Sequence, residues 1–201
     1  MSLRFEIKKG DPKSLILYWE EEAWRCVYKP LFISGLRKIS PDLSWEEFLI
    51  QFTALEQRVA KRYVIWLLSR RIYLSSDLTA KLISKGFSPA IAEEIVAFCQ
   101  AKGYLDDSQE IARLIAKEQR KGLAARAIYY KLKAKKGINE TLLRQLLEKV
   151  TSSDQGALKL WLEKHAKKVN CNDPKERNKM IAKLCRRGFS PEMVFKELGD
   201  I

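Results

Sequence analysis

The chain has 201 residues, 46% of them hydrophobic and 31% charged, with a formal net charge of +13. This composition excludes a disordered or fibrous chain, and the lack of any run near the ~18 apolar residues that span a bilayer excludes a membrane helix. The charge is regional: residues 1–56 hold 8 Lys/Arg against 9 Asp/Glu, a net of −1, whereas residues 57–201 hold 30 against 16, a net of +14.

The N-terminus, Met1-Ser2-Leu3-Arg4-Phe5-Glu6, lacks the apolar stretch of a secretion signal, so a cytoplasmic location is expected. Leu3, Phe5 and Ile7 alternate, and Gly10-Asp11-Pro12 breaks the run. Leu15, Leu17 and Trp19 alternate next, and Trp24, Cys26 and Tyr28 follow after Glu20-Glu21-Glu22. Period-two patterning with turn punctuation predicts a small β-meander that packs on helices.

From Ser44 the period becomes helical. Ser44-Trp45-Glu46-Glu47 reads as a capping box, with Trp45, Leu49 and Phe52 on one face. A second helix is expected to carry Val59, Tyr63, Trp66 and Leu67, with Arg58, Lys61, Arg62 and Arg70 mostly off that face. Leu78, Leu82 and Ile83 then mark a short helix from Ser76, ended by Gly86. Ser88-Pro89 opens the next, with Ile91, Ile95 and Phe98 inward, and Gly103 ends it.

The downstream segments repeat this plan. Ile111, Leu114 and Ile115 are followed by Ile128 and Leu132, and then by Leu142, Leu146 and Leu147 after an Asn139 cap. Leu158, Trp161 and Leu162 follow, then an Asp173-Pro174 helix start with Met180, Ile181 and Leu184, and a last helix from Ser190-Pro191. Residues 149–155 and 168–174 are expected to be the loosest connections. Lys85-Gly86-Phe87-Ser88-Pro89 returns as Arg187-Gly188-Phe189-Ser190-Pro191, with Lys136-Gly137-Ile138-Asn139 between them. Successive turn glycines are 51 residues apart. A fixed period of this size marks a stacked repeat with an extended face. The expected fold is therefore mainly α: tandem three-helix repeats in an elongated, curved stack, with a small N-terminal β-containing segment. Its parts would be 1–56, then repeats at 57–105, 106–150 and 151–201.

The regional charge points to nucleic acid or a nucleic-acid–protein assembly. The densest stretch holds Lys117, Arg120, Lys121, Arg126, Lys131, Lys133, Lys135 and Lys136 against Glu118 alone, with Tyr129 and Tyr130 interleaved. Two readings stay open for it: cations that neutralise phosphates beside tyrosines that stack on bases, or a solvated helix face with one tyrosine in the core. Lys183, Arg186 and Arg187 form a second patch, and Arg70 and Arg71 a third, with Lys85 at the first turn. Cations near helix C-termini also oppose the helix dipole, so any one of them can be structural while the set is functional.

Nothing supports catalysis. Asp106 and Asp107 sit at a helix junction and read as N-caps. His165, the single histidine, follows Leu158, Trp161 and Leu162 at helical spacing and belongs at the core margin. Neither GxxxxGK[ST] nor GxGxxG occurs. Cys26, Cys99, Cys171 and Cys185 form no CxxC pair, so reduced and mostly packed thiols are expected, with no metal and no cofactor. Of the five tryptophans, Trp19 and Trp24 are the candidates for partial exposure.

Three stretches carry a family likeness: Leu67-Leu68-Ser69-Arg70-Arg71, Lys81-Leu82-Ile83-Ser84-Lys85-Gly86-Phe87 and Gly103-Tyr104-Leu105-Asp106-Asp107. Arg186-Arg187-Gly188-Phe189-Ser190 adds a fourth. In this order and spacing, over residues 57–198, they resemble the RecX family, bacterial regulators of the recombinase RecA. The resemblance implies tandem three-helix units and a non-enzymatic monomer that lies in the groove of the RecA filament on DNA. Such a protein limits the filament's growth or activity, and hence acts on DNA repair and the SOS response. The implied partners are the RecA filament and single-stranded DNA, with double-stranded DNA as a further ligand. Against this stand a direct DNA-binding protein of helix-turn-helix type acting without RecA, and a scaffold indifferent to nucleic acid. No recognition helix with clustered Asn, Gln and Arg stands out for the former.

Overall fold

The computed structural model describes residues 3–151, 154–165 and 173–199. The chain forms two compact units that divide between Asp106 and Asp107. In the first unit, β1 (Leu3–Ile7), β2 (Ser14–Trp19) and β3 (Glu22–Tyr28) make an antiparallel meander in chain order. Four helices follow: α1 (Lys29–Leu36), α2 (Trp45–Leu68), α3 (Ser75–Ile83) and α4 (Pro89–Ala101).

The sheet forms as its alternation requires, except on β3. The register pairs Leu15 with Val27 and Leu17 with Arg25, then Tyr18 with Ala23, leaving Trp24 as the extra residue of a bulge. Val27 is therefore buried and Cys26 exposed, the reverse of the expected face. Arg25 points inward because Glu56, only 2% exposed, accepts two 3.1 Å hydrogen bonds from its guanidinium. A carboxylate that deep needs a cation or donors, and a pattern of apolar letters cannot reveal such a pair. Trp19 and Trp24 are half-buried and pack against Trp45 and Phe48 in an aromatic cluster that continues to Phe52.

The two helices expected between Ser44 and Leu68 are one 24-residue helix, α2. No glycine or proline interrupts that stretch, so nothing stops it. Ser44 accepts from the Glu47 N–H at 3.3 Å and the Glu47 carboxylate accepts from the Ser44 N–H at 2.9 Å, completing the capping box. The buried face is Phe48, Phe52, Leu55, Ala60, Val64 and Leu67, rotated from the expected one, and Trp66 is 48% exposed. The α4 face is likewise rotated: Cys99 is buried and Phe98 lies outside under Lys61.

The second unit comprises α5 (Asp107–Arg120), α6 (Ala125–Lys133), α7 (Glu140–Thr151), α8 (Asp154–His165), α9 (Pro174–Arg186) and α10 (Pro191–Gly199). α5 starts directly after Asp106, so the Asp106–Asp107 pair does sit at a helix start. Asn139 accepts from the Leu142 N–H at 3.0 Å, Asp173 from Lys175 at 2.9 Å and Ser190 from Met193 at 3.2 Å. On α7, Leu143 and Leu147 are buried, whereas Leu142 and Leu146 are only partly so. Leu158, Trp161, Leu162, Met180, Leu184, Phe189, Val194 and Leu198 form the core shared by α8, α9 and α10. Of the two connections expected to be loose, 149–151 and 154–155 belong to α7 and α8, while 152–153 and 168–172, with Cys171, lie outside the described residues.

Each unit is tied by the same backbone device. In the first, the Lys85 carbonyl, one residue before Gly86, accepts from the Tyr28 N–H at 2.9 Å. In the second, the Arg187 carbonyl, one residue before Gly188, accepts from the Ala124 N–H at 3.0 Å. Both glycines have positive φ, +89° and +94°. A Cβ on Gly86 would lie 2.6 Å from Val27 Cα, and one on Gly188 2.7 Å from the Ala127 nitrogen.

Gly103 shares the positive φ but has open space where its Cβ would stand. Gly103→Ala should therefore cost about 1 kcal/mol, the left-handed backbone penalty alone, and Gly86→Ala or Gly188→Ala about 3 kcal/mol, because displaced backbone adds to it. Urea unfolding of the three variants tests the order. A second expectation concerns the β2–β3 turn, where Glu20 and Glu21 both have positive φ, +50° and +74°, the pattern of a type I′ hairpin. Replacing Glu20 by Asn and Glu21 by Gly should stabilise the first unit by about 1 kcal/mol, read as a higher unfolding midpoint.

Candidate nucleic-acid interface

Most of the sequence-selected cations fall on the second unit, where α9 and its following turn are fastened to the start of α6. The Arg187 guanidinium donates to the Lys121 carbonyl at 2.6 Å and the Gly122 carbonyl at 3.2 Å. Asp154, 9% exposed, accepts from the Ala125 N–H at 3.0 and 3.2 Å. With Ala124 bound to the Arg187 carbonyl, two of the free N–H groups at the α6 N-terminus are satisfied by groups distant in sequence. Burial pushes the Asp154 carboxyl up and the Ala125 hydrogen bond opposes it.

This fastening gathers Lys121, Lys131, Lys183, Arg186 and Arg187 around a recess of about 410 Å³. Among the described residues its one carboxylate is Glu118, 6% exposed, which accepts from Lys121 at 2.8 Å and Lys131 at 2.6 Å. Those two bonds hold the Glu118 carboxyl below its ordinary range, against its burial. Five cations against one buried carboxylate leave a concentrated positive field. Lys183 and Arg186 are exposed: the Lys183 ammonium lies over the Trp161 ring at 5.3 Å and the Arg186 guanidinium donates to the Ala182 carbonyl at 3.3 Å.

Two further recesses adjoin it. Arg120, Lys121 and Arg187 line one of about 700 Å³ with Trp161, Lys164 and His165. Arg126, Tyr130 and Arg186 line another of about 470 Å³ with Gly188 and Phe189. Tyr130 is 62% exposed, so its ring is open to a base. Tyr129 is committed elsewhere: its hydroxyl donates to Glu140 at 2.6 Å, and Arg144 and Lys133 lie over its ring at 5.2 and 5.6 Å. Lys133 pairs with Glu140 at 3.0 Å, and this network, led by the Tyr129 hydroxyl, lowers the Glu140 carboxyl to about 2. Lys136 is exposed and Lys135 half-buried at the following turn. Within the dense basic stretch, Tyr129 and Lys133 are tied to Glu140, while Arg120, Lys121, Arg126, Tyr130 and Lys131 line the recesses.

Arg70, Arg71 and Lys85 belong to the first unit, and each lies on a ring: Arg70 on Trp66 at 4.2 Å, Arg71 on Tyr73 at 4.2 Å, Lys85 on Tyr28 at 3.7 Å. The sequence reading missed Lys164 and the tie between Glu118 and its two lysines. Lys164 was legible as the i+3 neighbour of Trp161; the tie was not, since Glu118 stood out only as an exception in a basic run. His165 stacks on Trp161 at 4.2 Å and its Nδ1 lies 2.8 Å from the Trp161 carbonyl, a core-margin role.

Comparison with known proteins gives these observations a family. Residues 152–198 match the family model described as RecX, third three-helix domain. The regulatory protein RecX of Pasteurella multocida (strain Pm70) is 28% identical over 141 residues, covering 70% of this chain and 86% of that protein. The regulatory protein RecX of Actinobacillus pleuropneumoniae serotype 5b is 31% identical over 142 residues, covering 71% and 91%. A crystal structure of regulatory protein RecX superposes over 100% of this chain and 99% of its own with a TM-score of 0.64 at 19% identity, which establishes a shared fold. A mainly α chain with a three-stranded N-terminal sheet, a repeated turn and this level of likeness across nearly the whole of a relative belongs to the RecX family of regulatory proteins.

Proposed function

We propose that the chain is a non-enzymatic, monomeric regulator that binds the RecA filament on DNA in the cytoplasm and limits its recombinase and ATPase activity, and so acts on DNA repair and the SOS response. The observation that carries this reading is the recess of the second unit, where five cations from the turn after α5, from α6, from α9 and from the turn after α9 surround one neutralised carboxylate. Membership of a family of regulatory proteins supports the regulatory part. Phosphates entering the recess would meet Lys183 and Arg186 first, releasing counterions from the strand. On this reading the functional subdivision is a sheet-bearing segment at 1–56 and three-helix repeats at 57–105, 106–150 and 151–201. The second and third repeats would supply the principal contacts, and Tyr130 a stacking surface for an unpaired base.

The test is RecA-coupled ATP hydrolysis on single-stranded DNA with the chain added below stoichiometry. Hydrolysis should fall, and unchanged hydrolysis overturns the reading. Lys183→Gln with Arg186→Gln should weaken the inhibition. Direct binding to single-stranded DNA should lose about 1.4 from the slope of log affinity against log salt, since two phosphate contacts go. Equal loss from the control pair Lys8→Gln and Lys9→Gln on the first unit would show a general charge effect and remove the recess from its role.

A further inference from the structure

The first unit holds a groove that the basic patches do not explain. About 640 Å³ in volume, it runs between α1 and α2 and ends at Lys85. Leu55, Val59 and Tyr63, one helical turn apart on α2, form its floor, opposite Leu31 of α1. Lys38, Arg58, Arg62 and Lys85 also line it, and among the described residues no carboxylate does. An apolar trough edged by four cations is built to meet something apolar and negative at once.

Nucleic acid fits it poorly. Its aromatic rings are already engaged: the Lys85 ammonium sits 3.7 Å from the centre of Tyr28, the Arg70 guanidinium 4.2 Å from that of Trp66, and Tyr63 stacks on both Trp66 and Phe87. A base entering here would forgo the stacking that drives single-strand binding. The spacing suits another ligand. Arg58 and Arg62 are four residues apart, about 6 Å along the axis, the rise between carboxylates at i and i+4 of a second helix. From Leu55 to Trp66 the floor is about 16 Å long, three turns of such a helix.

We propose that this groove docks an acidic amphipathic helix of a partner protein, its aliphatic side chains on Leu31 and Val59 and its carboxylates on Arg58 and Arg62. The mode is that of a helix laid in a groove, with anchors at i, i+4 and i+7. The site lies on a different unit from the cationic recess and does not depend on the filament reading.

The experiment uses the full chain and a labelled 15-residue peptide of Glu and Leu, with Leu at i, i+4 and i+7, followed by fluorescence anisotropy; a 15-nucleotide oligothymidine and a peptide with Lys in place of Glu are measured alongside. The acidic peptide should bind saturably and the lysine peptide should not. Arg58→Gln with Arg62→Gln, both exposed and neither holding the core, should weaken the peptide about tenfold and leave the oligonucleotide unchanged. Val59→Ser should also weaken it at unchanged charge. Absent binding, peptide binding indifferent to all three substitutions, or oligonucleotide binding lost with the two arginines would each overturn the proposal. RecA and its ATPase take no part, so failure here leaves the filament reading standing.

Discussion

One backbone hydrogen bond recurs as the joint of this protein, and most of the rest depends on it. The residue before each docked turn glycine offers its carbonyl to an N–H of an earlier element: Lys85 to Tyr28 and Arg187 to Ala124. The bond needs the two backbones in near contact, and a side chain on the glycine would occupy that space. The glycine of the repeat is thus both the helix terminator and the surface on which an earlier element lands. Buried acids complete the joint. Glu56 accepts from the Ser88 N–H, opening α4, and Asp154 from the Ala125 N–H, opening α6. Each carboxylate faces the positive end of a helix dipole, where negative charge is favoured.

The residue before the glycine has a second use. Its carbonyl is spent on the joint, but its side chain projects at the rim of the neighbouring cavity. Lys85 stands at the end of the first unit's groove, and Arg187 borders two recesses of the second. Because the backbone is pinned, these cations are held in place at little entropic cost to ligand binding, as preorganised charges should be. Both also lie over rings, Lys85 on Tyr28 and Arg187 on Trp161, which keeps them from collapsing onto distant carboxylates.

What the sequence made legible was periodic or punctuated. The meander, the capping box at Ser44, the caps at Asn139, Asp173 and Ser190 and the repeated turns all stand in the structure, because each is set by a few neighbouring residues. Where it failed on the sheet, the cause was a partner distant in the chain. Arg25 turns inward for Glu56, 31 residues away, and with the bulge at Trp24 reverses Cys26 and Val27. The division of α2 into two helices arose from reading two apolar faces where one continuous face, shifted by a residue, accounts for the burial. In the site, charge density located the region but could not separate Tyr129, tied to Glu140, from Tyr130 one residue on.

That separation shows why a basic stretch cannot be scored by counting. Of the cations near α6, Lys133 has Glu140, and Lys131 and Lys121 share Glu118. Exposed pairs such as Lys133–Glu140 contribute little to stability and still cancel the cation's net charge. Glu118 acts differently. Being buried, it anchors two ammonium groups at the edge of a recess, and the second charge it holds is not cancelled. A carboxylate inside a cationic surface is therefore no defect in a polyanion site: it trades one unit of charge for two fixed positions, and fixed cations meet a regular array of phosphates with less loss of freedom than loose ones.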